Sequence, residues 1–494
     1  MQDTWRIYPK VTVDLGVRYA FYPPVTDEAN LLSTFSIRAY NPARVPTFAY
    51  PFEPDFPVLV VGTGDLFNGV YVAGKNSPYG RAIYAADTNN LQPRLGVAWD
   101  VRGDSRLLIR AGYGVYFDQA QVQALMEDAQ IGSAPFSPTL AVLSNAPLSN
   151  PGAGTALENA YAAPPALYAV SDPFVAPRWQ HWNIGIERRL YSRGVADVGF
   201  VGAYGDHLLR YVDINKPQPE DVLAHGGIND LARPYLGFSQ IIMRETTGVS
   251  RYYGLVASFR HDGGRTGSAT VNYTLSRNRG DSTYDNSEAD DPQNPLDRNA
   301  EFADAQTDRR QILTAYYVYD LPFARTSTEG WRKGVLGGWQ IAGITTIDSG
   351  PAVRIWFYPL TGSSAVSNPG TLRTDLVADA HVGHQSGTQW FDPGAFQPPP
   401  VGAYGTAPVV PFRLPGRQQW DFSVSKNLSL TATARLQFRA DFVNAFNHTQ
   451  FLDVSTVCVG ETTCGPEPGW GKDFGAVTSA RPPRQIQLGV RLTW

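Results

Sequence analysis

The chain has 494 residues, a formal net charge of −4 and a mean hydropathy of −0.24. A charge so close to balance gives no electrostatic footprint for a polyanionic partner such as nucleic acid, and no apolar run approaches the roughly 18 residues that a membrane-spanning helix requires. Aromatic residues make up 12%, and 47 Gly with 38 Pro disfavour long helices, which leaves strands as the elements to look for.

Successive side chains of a strand point to opposite faces, so alternation of polar and apolar residues is the signal. Taken in chain order, residues 2–8 predict a first strand. Residues 11–19 set Val11, Val13, Leu15, Val17 and Tyr19 against Thr12, Asp14, Gly16 and Arg18. Residues 94–99 set Leu95, Val97 and Trp99 against Arg94, Gly96 and Ala98, and residues 106–117 set Ile109, Tyr113 and Phe117 against Arg110, Gly112 and Gly114. The pattern recurs at residues 182–187, 198–204, 253–259 and 269–275, weakens at 312–320 and 339–347, and returns at 419–425 and 435–442. It is cleanest at the end, where Ile486, Leu488, Val490, Leu492 and Trp494 alternate with Gln485, Gln487, Gly489, Arg491 and Thr493. About ten residues of such alternation is the length of a tilted strand that crosses a membrane. Roughly thirteen strands are expected in all.

The connections support the same assignment. Short turns are expected at Pro9-Lys10, Arg102-Gly103-Asp104, Ser192-Arg193-Gly194, Asp262-Gly263-Gly264 and Asn427-Leu428-Ser429, with a longer member at 322–338. Long connections rich in Pro and Gly lie at 22–91, 118–178, 205–248, 280–307, 349–418 and 447–483. Short and long connections alternate, as periplasmic turns and extracellular loops do in outer-membrane barrels. The expected fold is all-β: an antiparallel transmembrane β-barrel, partial, contributing roughly 13 strands of about 22. Counting back from an inward final strand makes the first strand inward too. Residues 1–6 lack the charged start and apolar core of a signal peptide, and both observations lead us to expect a portion of a longer chain.

Side chains with assigned roles follow from parity. Trp99, Trp182, Trp339, Trp420 and Trp494 fall on the apolar side of their strands, with Trp99, Trp339 and Trp494 at turn ends and Trp182 and Trp420 at loop ends; two aromatic girdles are expected. Arg18, Arg94, Arg110, Arg435, Arg439 and Arg491, with Asp441, fall on the polar side and are expected to form a lumen network, paired with acids that include Asp14, Glu187 and Asp421. Cys458 and Cys464 are expected to form a local disulfide in the last long connection. Trp356, Tyr358, Trp390 and Phe391 mark a loop where rings could stack on a ligand. No catalytic or metal constellation is assigned: His381 and His384 lie in a Gly-containing loop without a third ligand, and Gly112-Tyr113-Gly114 precedes no helix. The acidic connection 280–308 offers oxygen ligands without the spacing of a helix-loop-helix calcium site.

Several of these segments together resemble one family. Asp308-Arg309-Arg310 leading to Tyr317-Val318-Tyr319-Asp320-Leu321-Pro322 resembles the D-R-R-H…Y-x-Y-x-L-P strand of Oar-like TonB-dependent receptors, with Gln311 in place of the histidine. Gln92-Pro93-Arg94-Leu95-Gly96-Val97-Ala98-Trp99-Asp100, the 109–118 strand, the Phe442-Val443-Asn444-Ala445-Phe446-Asn447-His448 corner and the closing strand from Arg481-Pro482-Pro483-Arg484-Gln485 are similar to further motifs of that family, in family order. The resemblance implies that residues 1–494 are the C-terminal part of such a barrel, without the family's plug and N-terminal regulatory-like domain. It implies uptake of a bulky solute, of the oligosaccharide or chelate class, by a protein that is not an enzyme and uses no cofactor. The implied partners are outer-membrane lipid, the TonB complex through a plug outside this chain, and the barrel assembly machinery at the C-terminal Trp494 strand. A barrel with an adhesion or surface-structural role is the alternative, and a soluble β-rich carbohydrate-binding protein a more distant one.

Overall fold

The computed structural model describes residues 2–51, 56–119, 161–281, 291–323, 330–358, 372–400, 402–431, 433–460 and 473–494, together with residues 135, 136, 149 and 464. Thirteen strands form one sheet in chain order, each antiparallel to its neighbours. They are β1 (Gln2–Tyr8), β2 (Val11–Tyr22), β3 (Asp87–Asp100), β4 (Leu107–Phe117), β5 (Arg178–Tyr191), β6 (Gly194–Asp213), β7 (Ile241–Asp262), β8 (Gly267–Gly280), β9 (Gln311–Asp320), β10 (Trp339–Asp348), β11 (Arg417–Ser429), β12 (Arg435–Val443) and β13 (Gln485–Thr493). Two short pieces extend the sheet: Leu167–Val170 beside β7 and Ala303–Asp304 beside β8. The expected strand number and the alternation of short turns with long connections both hold.

Cross-strand partners share a face, so the register traces one side of the wall. Trp5 opposes Val13, then Val97, Ala111, Ile184, Phe200, Leu255 and Leu275 follow across β3 to β8. The same face continues through Tyr273, Leu313 and Ile347, and through Ile341, Val424, Ala440 and Leu488. None of these apolar side chains is buried, and several are exposed, Ile184 by 54% and Leu488 by 78%. The buried hydrophobic clusters among the described residues lie elsewhere, four in number, built by the long connections and the loop ends of β6 and β7. A protein in water does not leave a continuous apolar band outside and hide its cores in its loops. A barrel wall in lipid does, because the bilayer covers the band.

The structure departs from expectation in two places and explains a third, the weak alternation expected at 312–320 and 339–347. β6 and β7 run well into the 205–248 connection, because Leu208-Leu209, Tyr211-Val212 and Ile241-Ile242-Met243 form continuous apolar runs that the loops cover on both faces. β11 continues through the expected turn at Asn427-Leu428-Ser429, and the chain reverses at 430–434, where Leu430 N–H donates to the Ala434 carbonyl. β9 and β10 alternate weakly because both their faces are apolar: Tyr316 and Val318 share the inner side with Ile344 and Ala342. Among the described residues β1 and β13 each pair along one edge only, and both are exposed along their full length.

Candidate functional site

The inner face of the wall carries the predicted charged row. Arg110 reaches Glu187 at 3.1 Å across the β4–β5 pair, and Arg439 reaches Asp441 at 2.8 Å along β12. Thr4 donates to Asp14, and Gln419 and the Asn444 N–H donate to Asp421. The Arg94 guanidinium stacks over the Tyr116 ring at 4.8 Å. Gly114 makes room for that ring, because a Cβ there would meet the Tyr116 hydroxyl oxygen at 2.8 Å. A cavity of about 160 Å³ opens beside this stack, lined by Asp14, Arg94, Tyr116, His181 and Asn183. Arg18, Arg435 and Arg491 share the inner parity and have no ionic partner among the described residues.

The five predicted tryptophans occupy the apolar parity. Trp99 opposes Val11 and Ile109; Trp182 opposes Tyr113 and Gly202; Trp420 opposes Thr345. Trp182 contacts the Tyr253 ring at 6.1 Å, and Trp420 contacts Phe422 and Phe446. Trp339, at the turn end of β10, donates its indole N–H to the Val335 carbonyl at 2.9 Å. Trp494 follows β13 and is 88% exposed.

The predicted ligand-stacking loop is mostly core. Phe391 is 1% exposed and packs against Phe396, Phe412 and Phe474, so it presents no ring to a ligand. Trp390 is half-buried, with its indole N–H on the Arg413 carbonyl, and Trp356 is half-buried beneath Arg354. Of the four, Tyr358 alone is exposed. Cys458 is joined to Cys464 and sits in the same core.

Carboxylates at the described ends of the acidic connection are committed to internal partners. Asp281 holds Arg298 and the Val249 N–H; Asp304 holds Arg277, Arg310 and Arg413; Asp308 holds Arg413. Burial pushes the Asp304 carboxyl up, but Arg277, Arg310 and Arg413 outweigh it and hold it below the ordinary carboxylate range. No group of three or more metal-ligating side chains occurs among the described residues, and residues 282–290 lie outside them.

Two features escaped the sequence. One is a buried ionic knot at the tip of β6. Lys216 Nζ lies 2.5 Å from Asp291 and donates to the Pro292 carbonyl; Asp291 also accepts the Asp213 N–H; Asp213 accepts the N–H groups of Asn215 and Ile241. The run Asp213-Ile214-Asn215-Lys216 at the end of an apolar stretch was its only local trace. The other is a cavity of about 560 Å³ between the 22–87 connection and the tips of β6 and β7, a volume within the range of small-molecule pockets. Phe35, Tyr71, Tyr79, Asp172, His207 and Met243 line it. His207 has φ 54° at a register shift in β6, an uncommon conformation for a residue with a side chain. No sequence signal joins these residues, since the cavity is made where three connections meet.

Comparison with known proteins gives a family model described as "Outer membrane beta barrel domain", which matches residues 1–487. The chain belongs to that family. It therefore lies in a Gram-negative-type outer membrane, with the apolar face of the sheet in lipid, short turns on the periplasmic side and the loop body outside. Among solved structures, the barrel is similar to the ferripyoverdine receptor of Pseudomonas aeruginosa, at 10% identity and TM-score 0.43 over 100% of this chain and 37% of that one. It is similar to the outer membrane transporter YddB from Escherichia coli, at 9% identity and TM-score 0.43 over 98% and 45%. It is similar to the FrpB iron transporter from Neisseria meningitidis, at 12% identity and TM-score 0.38 over 100% and 54%. The chain thus spans about a third to a half of these proteins. No curated protein matches it.

Proposed function

We propose that this barrel is the C-terminal part of a TonB-dependent receptor of the Oar-like type, and that it takes up a bulky solute of the oligosaccharide or chelate class. The observation that carries this reading is the inner wall. Its side chains are polar and charged, and Arg18, Arg435 and Arg491 face the lumen with no ionic partner among the described residues. Unpaired charges on an inner wall call for water, a solute or a plug opposite them. The wall is also too broad for its own side chains to fill, as they do in eight-stranded barrels. Among the described residues nothing pairs with the outer edges of β1 and β13, which supports a larger barrel, since lipid does not tolerate unpaired strand edges. Trp99, Trp339 and Trp494 would form the periplasmic girdle, and Trp182 and Trp420 the outer one. The barrel assembly machinery would recognise the C-terminal strand with Trp494, and the TonB complex would act through a plug outside this chain.

The test compares cells lacking this protein with cells lacking the TonB complex, grown on a panel of oligosaccharides and iron chelates as sole sources. Transport predicts that one solute fails to support growth in both strains. Normal growth of the strain lacking this protein on every solute, with lost surface adhesion that TonB removal does not reproduce, would contradict transport and support the adhesion alternative.

A further inference from the structure

An arginine group stands on the lipid-facing side of the wall, where charge is costly. Arg251 of β7 and Arg279 of β8 are direct cross-strand partners, and Arg277 lies two residues further on, opposite Tyr253. All three share the outward parity of Leu255 and Leu275. Like charges facing each other across a strand pair repel, yet both guanidiniums converge on one ring: Arg251 lies 5.3 Å and Arg279 4.9 Å from the centroid of Phe302.

Among the described residues the carboxylates do not balance them. Asp304 lies 3.0 Å from Arg277 and 3.6 Å from Arg279, but it also holds Arg310 and Arg413. Asp206, the next outward acid along the wall, is taken by Arg178 and His207. Arg251 is exposed and has no ionic partner among the described residues. Four guanidiniums thus share Asp304, two of them, Arg310 and Arg413, also reaching Asp308, and Arg251 stands beside them with neither.

Depth identifies the counter-ion. Arg251 lies eleven residues along β7 from its turn end at Asp262. At about 3.3 Å per residue and a tilt near 40°, that is a climb of roughly 28 Å, close to the ~25 Å apolar band of a barrel wall. Directly below, Tyr253 contacts Trp182 and Phe200 on the same face. The arginines therefore stand at the outer membrane–water boundary, immediately above an aromatic belt. Guanidiniums bind phosphate through paired N–H donors, and the phosphates at this depth belong to lipid headgroups.

We propose that Arg251, Arg277 and Arg279 form an outward-facing site for the phosphate of a phosphorylated glycolipid in the outer leaflet. The lipid headgroup relieves the cross-strand repulsion, and the acyl chains lie along the aromatic belt. The site rests on the barrel's place in the outer membrane and does not depend on which solute passes through it.

The test is native mass spectrometry of the detergent-purified protein, titrated with bis-phosphorylated lipid A, with dephosphorylated lipid A and with inorganic phosphate. We expect bis-phosphorylated lipid A to be retained at least tenfold better than the dephosphorylated form. Arg251→Gln/Arg277→Gln should lose that preference, and Arg251→Lys should keep most of it. Where the double variant does not fold, the single Arg251→Gln, which breaks no ion pair, is scored instead. Equal retention of the two lipids by the natural protein, or undiminished preference in Arg251→Gln/Arg277→Gln, would overturn the proposal. So would displacement of the lipid by equimolar inorganic phosphate, which would mark a site for a free anion.

Discussion

Replacing Lys216 by methionine is expected to destabilise the outer loop body by about 3–5 kcal/mol, the cost of leaving a buried charge without its partner. Lys216 is 1% exposed and Asp213 and Asp291 are no more so, and the knot ties the 214–240 connection to the 281–311 connection. Methionine fills a similar volume, so the loss reports on charge rather than on a cavity. The same knot sets a pH dependence. Burial, then the neighbouring Asp291, push the Asp213 carboxyl from 3.8 to about 6, with Lys216 and Arg233 opposing. A carboxyl raised on folding binds more protons in the folded state. Its contribution, about 3 kcal/mol, is complete below pH 4, is lost as the pH rises to about 6, and stays lost above. Removing Lys216 takes away an opposing charge, so in Lys216→Met the loss extends to higher pH. Hydrogen exchange of residues 214–240, at several pH values and corrected for intrinsic rate, measures both effects. Unchanged protection in the variant would show that the knot carries no stability.

The second large effect is expected at Arg413. Its guanidinium donates to Asp304 at 2.8 Å, to the Asp308 carboxylate, and to the carbonyls of Asp308 and Gly350 at 3.2 Å. It thereby clamps the 281–311 connection to the 349–416 connection. Gly350 permits the approach, since a Cβ there would sit 1.6 Å from the Leu414 carbonyl oxygen. Arg413→Ala is expected to cost about 3 kcal/mol, because Asp308, 2% exposed, then keeps the Asn278 N–H but, among the described residues, no cation nearer than Arg310 at 3.8 Å. Arg413→Lys should not restore it, since an ammonium cannot span four acceptors as a planar fork does. Asp304 gives the opposite pH sign to Asp213: its carboxyl is held low, so its contribution is present above the ordinary carboxylate range and is lost as the pH falls through its folded value. Protease nicking within residues 372–400 reads the outcome. Equal nicking of the natural and Arg413→Ala proteins would remove the clamp from the account.

How much of this was legible in the sequence depended on what covers each face. β2, β4 and β13 have lipid on one side and the lumen on the other, so they alternate and could be read directly. β9 and β10 are apolar on both sides, with Tyr316 and Ile344 inside, and their pattern blurs. The tips of β6 and β7 are buried by loops on both faces, and an alternation criterion passes over such runs as Leu208-Leu209 and Ile241-Ile242-Met243. The parity of the five tryptophans and of the lumen arginines could be read because parity is local. Phe391 could not be placed, because an aromatic residue in a long connection looks alike whether it meets a ligand or, as here, three other phenylalanines. The Lys216 knot and the 560 Å³ cavity join residues from separate connections, which no local pattern records.

The central claim is that one face of this sheet meets lipid and the other a water-filled lumen. Single cysteines at positions 268–275 of β8, labelled with a water-soluble maleimide in intact outer membranes, test it most directly; Cys458 and Cys464 are bonded to each other and do not compete. The account predicts reaction at Ser268, Thr270, Asn272 and Thr274 and protection at Ala269, Val271, Tyr273 and Leu275. Uniform labelling, or the opposite parity, would contradict it.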